Sequence, residues 1–364
     1  MSDWKPGVLA DWLTFRNGGA GSYADVGPFP VFGANGAYAR AADPNVATAG
    51  VVIGRVGSYC GSVHYSPTPA WVSENALVAT PTVGSATRFW AYALSSIDLN
   101  SWRGGSGQPL LNQSILRSIP FSAPPVPEQQ AIAEVLGALD DKIAANTALA
   151  ERADDLMHST FISLATTREL PLSSTADFVN GKAFTKEASG TGRVVVRIAE
   201  LNGGISGSTV FSDAVVDDKH VARPGDILFA WSGSLTLHRW FRSEAIVNQH
   251  IFKVIPRSGF PDWLVYELVR QKLARFKAIA ADKATTMGHI QRHHLDEIVS
   301  VPSPAEVERV NSLMRGLWDS ALSAETESIA LAATRDLLLP QLMSGKLRVR
   351  DAETIVSAAG TQIH

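Results

Sequence analysis

The sequence predicts an α+β protein: two similar α/β domains with pseudo-two-fold symmetry, joined by two long antiparallel coiled-coil helices. Three observations predict this fold. A β-rich segment followed by a long helical pattern occurs twice in the 364 residues. Each helical pattern has apolar residues at steps of three and four, as in a coiled-coil seam. Two copies are too few for a solenoid, which needs about three or more repeats, so a two-fold arrangement is expected.

Matched motifs record the duplication. GVVIGRVGS at residues 50–58 corresponds to DILFAWSGS at 226–234, and AWVSENALVATP at 70–81 corresponds to AIVNQHIFKVIP at 245–256. The offset is 176 residues at the Gly-Ser pair and 175 in the following strand. A third block pairs these residues in order: Leu111, Leu116 and Ile119 with Ile290, Leu295 and Ile298. Matched order with unequal loops indicates divergence after duplication.

Composition is that of a soluble globular protein, with 45% hydrophobic and 18% charged residues. The apolar runs are shorter than a membrane span, and Met1–Pro6 has no signal-peptide pattern, so a cytoplasmic protein is expected. The single cysteine, Cys60, excludes an internal disulfide and a multi-cysteine zinc site. We interpret Cys60 as a small turn residue.

The net charge of −3 hides a gradient along the chain. The β-rich segments 1–126 and 168–302 carry net charges of +1 and +3, whereas the helical segments 127–167 and 303–364 carry −5 and −2. This pattern is expected if the β-rich parts face DNA and the helices face protein partners. The basic excess is small, so another subunit would have to neutralise many of the phosphates.

The first long helix is expected to begin at Pro127 and Glu128, because proline suits the first turn and an acidic residue suits the helix dipole. Its seam includes one polar position, Asn146, that would fix the register. Pro340 is expected to kink or end the second helix. Shorter helices are expected at 88–97 and 261–279. The predicted segments are 1–123, 124–167, 168–302, 303–350 and a frayed tail at 351–364.

Motifs for several catalytic activities are absent from the sequence. It has no Gly-rich loop of a methyltransferase, no adenine-methylation motif, no phosphate loop and no nuclease motif, so no catalytic residue is predicted. His289 and His293 lie four residues apart on a predicted helix, a spacing that can bind a metal. We favour a solvated or phosphate-facing pair, and no metal site is predicted.

Several motifs resemble the specificity subunit of type I restriction-modification systems. GDILFAWSGS at 225–234 and VNQHIFKV at 247–254 resemble the signature of that family's target recognition domain, and PVFGANG at 30–36 resembles its early glycine motif. PVPEQQAIAEVL at 125–136, with LDDKI at 139–143, resembles its central conserved helix. LLLPQLMSG at 337–345 resembles its C-terminal conserved segment. The second long helix departs from the family pattern, since Pro304–Val307 replaces a full Pro-x-x-Glu-Gln start.

The resemblance implies a division of roles among the predicted segments. Target recognition domains 1 and 2, residues 1–123 and 168–302, would each bind one half of a bipartite double-stranded DNA target. The central helix 124–167 and the C-terminal helix 303–350 would set their spacing. Two modification (methyltransferase) subunits would dock on the helices, and two restriction or translocase subunits could join them. The chain itself would hold no cofactor and no metal, because S-adenosylmethionine, ATP and Mg²⁺ belong to the partner subunits.

Individual DNA contacts are predicted from chemistry rather than from the resemblance. Arginine pairs with guanine, and asparagine or glutamine pairs with adenine. In loop-like settings this selects, in the first domain, Arg16, Asn17, Asn35, Arg55, Arg103, Gln108 and Asn112. In the second domain the candidates are Lys182, Lys186, Trp231, Ser234, Thr236, His238, Arg239 and Gln291. Trp231 is expected to pack under its loop rather than stack on a base.

An alternative function also fits the acidic net charge. The chain would then be a coiled-coil scaffold that does not bind DNA and whose two β-rich modules bind peptides or carbohydrates. DNA binding and its salt dependence distinguish the two hypotheses, because a scaffold would show neither.

Overall fold

The structure, a computed structural model, describes residues 4–21, 23–82, 86–104, 110–282 and 288–361. It divides into two compact units: unit 1 comprises Met1–Lys142 and Ala330–His364, and unit 2 comprises Ile143–Ile329. Each unit contains mixed sheets and a part of both long helices, so the predicted α+β class is confirmed. In the described part of the chain, every helix is too short or too polar to span a bilayer.

Unit 1 contains short strands and two short helices ahead of the first long helix. The strands are β1 Lys5–Val8, β2 Leu13–Asn17, β3 Phe29–Gly33, β4 Gly36–Ala41, β5 Gly50–Gly54, β6 Val63–Ser66, β7 Trp71–Val72, β8 Ala76–Pro81 and β9 Pro120–Ala123. The helices are α1 Thr87–Ser95, α2 Gln113–Ser118 and the start of α3 Val126–Ser163. The predicted helix at 88–97 therefore corresponds to α1.

Unit 2 repeats this arrangement with one longer helix. Its strands are β10 Thr166–Pro171, β11 Ala176–Asn180, β12 Arg193–Val196, β13 Phe211–Ser212, β14 Val221–Ala222, β15 Ile227–Ala230, β16 Thr236–Arg239, β17 Ala245–Val247, β18 Ile251–Pro256 and β19 Ile298–Pro302. The helices are α4 Ile198–Gly203, α5 Asp262–Asp282 and most of α6 Pro304–Met343. The predicted helix at 261–279 corresponds to α5. A last helix, α7 Val349–Thr361, belongs to unit 1.

The two units share their strand order. Unit 1 has an antiparallel sheet β2-β8-β5-β6, and unit 2 has β11-β18-β15-β16. A second sheet, β4-β3-β7, corresponds to β13-β12-β17-β14, and each contains one parallel pair. The ladder β1-β9 corresponds to β10-β19. The duplication predicted from the motifs is therefore present in the topology.

The central strands of the four-stranded sheets are apolar because both of their faces are covered. Every residue of β5 and of β15 is buried. In unit 2, Phe229 of β15 stacks on Phe276 of α5 with ring centroids 5.9 Å apart. This burial holds the strand rigidly, so the loop that follows it is presented from a fixed base.

The long helices α3 and α6 pack as the seam pattern predicts. In unit 2, Ala150 and Ala153 of α3 pack on Ala321 of α6, and these small side chains allow close approach. The polar seam residue Asn146 is 3% exposed, and its Nδ2 donates to Glu327 Oε2 at 2.7 Å. Asn146 contacts Glu327, whereas Ala153, which is later in α3, contacts Ala321, which is earlier in α6. The order of the contacts is therefore reversed between the two helices. The pair is therefore antiparallel.

The C-terminal region differs from the sequence prediction. Pro340 lies inside α6, which ends three residues later at Met343. Gly345 (φ +65°) follows, and Lys346 N donates to Gln341 O at 3.0 Å, so a glycine C-cap ends the helix. The tail expected to fray from Asp351 instead forms α7, with Ala352 fully buried.

Candidate nucleic-acid interface

Each unit has a cluster of polar residues where β5 or β15 ends. We define the polar edge of unit 1 as Asn17, Arg55–Ser58, Ser73–Asn75 and Asn112. The polar edge of unit 2 is Asn180, Trp231–Ser234, Asn248–His250 and Gln291. The two sets lie at corresponding positions in the repeated strand order. Polar side chains gathered beyond a buried strand are placed to meet a ligand rather than to pack a core.

Backbone hydrogen bonds hold the polar edge of unit 1 together. Arg55 N donates to Asn75 O at 3.0 Å, and Leu111 N donates to Arg55 O at 3.0 Å. Asn17 is joined to the same cluster, since its Oδ1 accepts from Gln113 Nε2 at 3.3 Å. The loop after β5 is thereby fixed on both sides.

The polar edge of unit 2 has the same bonds at the corresponding residues. Trp231 N donates to His250 O at 3.2 Å, and Ile290 N donates to Trp231 O at 3.1 Å. Trp231 Nε1 donates to Asn180 Oδ1 at 2.8 Å. The sequence offset of 176 residues therefore pairs Arg55 with Trp231 in equivalent places.

Glycine is required where the edge strands meet the next loop. A Cβ on Gly18 would overlap the carbonyl oxygen of Ser73, and a Cβ on Gly181 would overlap that of Asn248. Both obstacles are backbone atoms, which cannot move aside as a flexible side chain can. The close approach fixes Asn17 and Asn180, the preceding residues, beside the two loops.

The polar edges contain buried polar atoms without a hydrogen-bond partner among the described residues. In unit 1 these are Arg55 Nε and Ser73 Oγ, and in unit 2 they are Asn248 Oδ1 and His250 Nδ1. Ser73 and Asn248 are 1% and 6% exposed. An unpaired buried polar group costs about 1–3 kcal/mol, so these atoms mark where a polar ligand or ordered water is needed.

The structure brings together three of the candidates predicted in the first domain. Asn17, Arg55 and Asn112 belong to the polar edge, although Asn17 ends strand β2 instead of lying in a loop. Asn112 Oδ1 accepts from Ile115 N at 2.9 Å, so this side chain caps α2. That bond uses one face of the amide and leaves its Nδ2 as a donor.

The remaining candidates of the first domain lie apart from these three. Arg16 is on strand β2 rather than in a loop, and its Nη2 donates to Asn45 O at 2.5 Å. Asn35 is exposed in the turn between β3 and β4, and Arg103 is exposed after the short 3₁₀ helix Leu99–Trp102. Gln108 lies outside the described residues.

Four of the eight candidates in the second domain lie on or beside the polar edge of unit 2. Trp231, Ser234 and Gln291 belong to this edge. The exposed Lys182 forms an isolated backbone β-bridge with Asn248 of the edge. The partly buried Trp231 ring packs against Phe252 and His250, with centroids 5.8 and 5.6 Å apart. The expectation that Trp231 packs under its loop matches these contacts.

Four candidates lie elsewhere in unit 2. Lys186 is exposed in the 3₁₀ helix Phe184–Glu187. Thr236 and His238 lie on β16 and not in a loop, and His238 Nε2 is 3.2 Å from Asn202 Oδ1. Burial lowers the pKa of His238. This ring is therefore neutral at pH 7.

Arg239 is structural in this fold. It is 4% exposed, and its guanidinium lies 3.1 Å from Asp154, 3.0 Å from Glu325 and 4.8 Å from the centre of the Trp318 ring. Burial lowers the pKa of Arg239, but the combined effect of the two carboxylates is larger and raises it. The net shift is upward, so the group stays charged. The loop setting predicted for Arg239 is wrong because it lies on β16, and its guanidinium is already engaged by protein groups.

The histidines considered for metal binding do not share an α-helix. His289 forms an isolated bridge with Ser232, and His293 and His294 lie in the 3₁₀ helix Arg292–Asp296. The helical spacing assumed for His289 and His293 is therefore wrong. Among the residues that the structure describes, no group of three or more potential metal ligands occurs.

Sequence reasoning missed several residues of the polar edges. Asn75, Asn180, Gln249 and His250 occupy them, and Arg292 follows Gln291 directly. The 175-residue offset places Ser73, Glu74 and Asn75 opposite Asn248, Gln249 and His250. Treating the repeat as a map of equivalent surface positions would have found them.

Comparisons with known proteins agree with this architecture. Residues 1–153 match the family described as type I restriction modification DNA specificity domain. No curated protein sequence matches the chain significantly. The fold resembles the crystal structure of the type I restriction-modification system S subunit from M. genitalium, at 16% identity and a TM-score of 0.65, covering 94% of this chain and 96% of that one.

Two further solved structures align along most of the chain with low structural scores. The HsdS subunit from Thermoanaerobacter tengcongensis has 13% identity and a TM-score of 0.32, covering 94% of this chain and 97% of that one. A structure described by complex assembly and conformational transition of the type I R-M system has 14% identity and a TM-score of 0.34, covering 94% and 98%. Neither of these two structures is used to assign the fold.

Proposed function

We propose, from the premise that residues 1–153 hold a type I restriction modification DNA specificity domain, that the chain recognises a bipartite DNA target with one half-site per unit. The observation that carries this proposal is the recurrence of the same strand order and the same polar edge in unit 2. Unit 2 lies mostly outside the matched segment, so its likeness to unit 1 is independent support. A repeated reading surface suits a ligand with two separated sites.

The polar edges supply the chemistry of base recognition. Arg55 offers the forked donors that match guanine, whereas Asn17, Asn112 and Gln291 offer amides that match adenine in the major groove. Several polar atoms in these edges are buried and unpaired, as expected of a surface that awaits hydrogen bonds from a ligand. Arg239 is omitted from this set because the protein itself engages it.

The proposed chain is a non-catalytic subunit that directs other subunits to DNA. Two modification subunits would bring S-adenosylmethionine, and restriction or translocase subunits would bring ATP and Mg²⁺. The acidic segments of the long helices, which carry net charges of −5 and −2, are the proposed docking surfaces for these partners. The base to be methylated would leave the duplex to enter the partner's pocket.

Reconstitution tests this function directly. The full chain is combined with the modification subunit encoded beside it, and methyl transfer from labelled S-adenosylmethionine to genomic DNA is measured. We expect sequence-specific adenine methylation by the mixture and none by the chain alone. Methylation by the isolated chain, or unchanged specificity when the chain is omitted, would overturn the proposal.

A further inference from the structure

Unit 2 contains a groove beside its polar edge. The groove has a volume of about 1100 Å³ and lies between strand β11 and two 3₁₀ helices, Asp218–His220 and Arg292–Asp296. Asn180 of the polar edge and the neighbouring Lys182 both line it. A ligand that contacts the polar edge can therefore continue into this groove.

The charge of the groove favours an anion. Its basic side chains are Lys182, Lys219, Arg257 and Arg292, and its acidic side chains are Asp177 and Asp296. Asp177 is paired with Arg257 at 2.7 Å, whereas Asp296 accepts a hydrogen bond from the neutral Ser173 Oγ at 2.5 Å and keeps its charge. Lys182, Lys219 and Arg292 therefore leave the groove with an excess of positive charge over Asp296, which attracts a negative ligand.

Lys219 is held only weakly by the protein. Its Nζ lies 3.5 Å from Asp217, and the two side chains are 55% and 66% exposed. An exposed ion pair of this kind is weak, so Lys219 can leave Asp217 for a phosphate at little cost.

His220 provides a built polar group in the wall of the groove. It is 4% exposed, and neither ring nitrogen has a hydrogen-bond partner among the described residues. Burial lowers the pKa of His220, and the positive charges of Lys182 and Lys219 lower it further, so the ring is neutral at pH 7. A neutral imidazole offers one donor and one acceptor. Neither forms a hydrogen bond with the described residues, and leaving both unpaired costs free energy unless a ligand or a water molecule binds them.

We propose that this groove binds a phosphate of the DNA backbone next to the half-site that the polar edge of unit 2 faces. The inference rests on the proposed function and adds a site to it. Lys182, Lys219 and Arg292 would neutralise the phosphate charge, and the His220 ring, whose nitrogens are buried, would donate to a phosphate oxygen after a local rearrangement. Phosphate contacts fix register without reading sequence, so the groove orients the duplex against the polar edge.

The groove makes the two units unequal. Lys219 and His220 lie in the 3₁₀ helix that leads directly into β14. The second sheet of unit 1, as far as it is described, has three strands and no equivalent of β14. We therefore expect unit 2 to depend more on phosphate contacts than unit 1 does.

Salt dependence tests the groove. Binding of the full chain, with its modification subunit, to a 30-base-pair duplex is measured by fluorescence anisotropy across a salt series for wild type and for Lys219→Ala/Arg292→Ala. Each lost phosphate contact lowers the slope of log K against log salt by about 0.9. We expect the double variant to lose about 1 from that slope while the methylated sequence stays the same. Arg275→Ala, an exposed arginine of α5 outside the groove, is the matched control with an unchanged slope.

The outcomes separate the groove from the proposed function. A double variant that binds with the wild-type slope overturns the groove, whereas a wild-type complex that binds no duplex overturns the proposed function itself. The groove could instead bind a free phosphate-containing anion and not the DNA backbone. Titration of the protein with pyrophosphate distinguishes these two ligands. Micromolar pyrophosphate binding that the double variant loses, with an unchanged DNA slope, would also overturn the inference. Lys182→Ala repeats the test at a third side chain.

Discussion

Arg55 is the residue on which we expect the proposed recognition by unit 1 to depend most. Backbone hydrogen bonds to Asn75 and Leu111 fix the position of its Cα. Its side chain is only partly buried, and Nε has no partner among the described residues. A rigid base with an unsatisfied guanidinium is the combination that base recognition requires.

Replacing Arg55 with alanine is expected to weaken binding to the cognate duplex by about 10- to 100-fold, because a bidentate contact to guanine contributes about 1–3 kcal/mol. The fixing hydrogen bonds use backbone atoms and survive the change. Arg40→Ala, an exposed arginine on β4, is the control and should leave affinity unchanged. Equal affinities for wild type and Arg55→Ala, measured by anisotropy, would contradict the assignment.

A second residue-scale prediction concerns Glu267, which is fully buried on α5. Its carboxylate lies 2.6 Å from His158 and 3.4 Å from Arg270. Burial raises the pKa of Glu267 above 4.5 and outweighs the lowering by these two partners. Because the folded protein binds this proton more tightly than the unfolded chain, stability falls as pH rises from about 4.5 to the raised pKa.

Glu267→Gln removes this titration and keeps the shape of the side chain. We expect its free energy of unfolding, relative to wild type, to increase as pH rises above 4.5 and to level off once the wild-type carboxyl is ionised. Urea unfolding at several pH values measures this difference. A difference that stays constant with pH would show that Glu267 does not titrate in the folded state above its ordinary pKa.

At the scale of elements, arginine–carboxylate clusters attach each β-rich part to the long helices of its own unit. In unit 1, Arg88 of α1 contacts Asp141 of α3 at 2.8 Å, and Arg335 of α6 contacts Asp140 at 2.7 Å. The hydrogen bond from Arg88 lowers the pKa of Asp141. In unit 2, Arg239 of β16 contacts both α3 and α6. The cluster of unit 1 therefore joins α1 to the long helices, and the cluster of unit 2 joins strand β16 to them.

Arg239→Ala is expected to destabilise the protein by about 2–3 kcal/mol, because Asp154 and Glu325 would lose their counter-ion. The effect is smaller than the 3–5 kcal/mol of a fully buried pair, since these two side chains are 31% and 22% exposed. Chemical denaturation measures the loss. The triple variant Arg239→Met, Asp154→Asn and Glu325→Gln should recover most of it, and a triple variant no more stable than Arg239→Ala would refute the electrostatic explanation.

For the molecule as a whole, the sequence predicted the architecture more accurately than it predicted individual side-chain contacts. Periodicity located α3 and α6, and matched motifs located the duplication, because burial imposes both patterns on the residues themselves. Arg239 was misjudged because a charged residue on β16 looks the same in sequence whether it faces solvent or two distant carboxylates. The α7 helix was missed for a similar reason, since Ala352 becomes buried only through tertiary contacts.

The proposed role of the long helices as a spacer gives a prediction at this scale. Deleting seven residues from both α3 and α6 shortens each helix by about 10 Å, or about 3 base pairs of duplex. We expect the gap between half-sites to shrink while both half-sites keep their sequence. Deleting residues 358–364, which leaves the buried Ala352 in place, serves as the control. An unchanged gap in the helix variant would refute the spacer role.

The most direct test of the account is methylation-aware sequencing of a cell that carries this chain and its modification subunit, compared with one in which this chain is deleted. The account predicts a two-part adenine-methylated motif with a fixed unread gap, which disappears with the deletion. In addition, Arg55→Ala should alter only one of the two parts. A methylation pattern that persists without the chain, or a continuous motif altered as a whole by Arg55→Ala, would contradict recognition by two separate units.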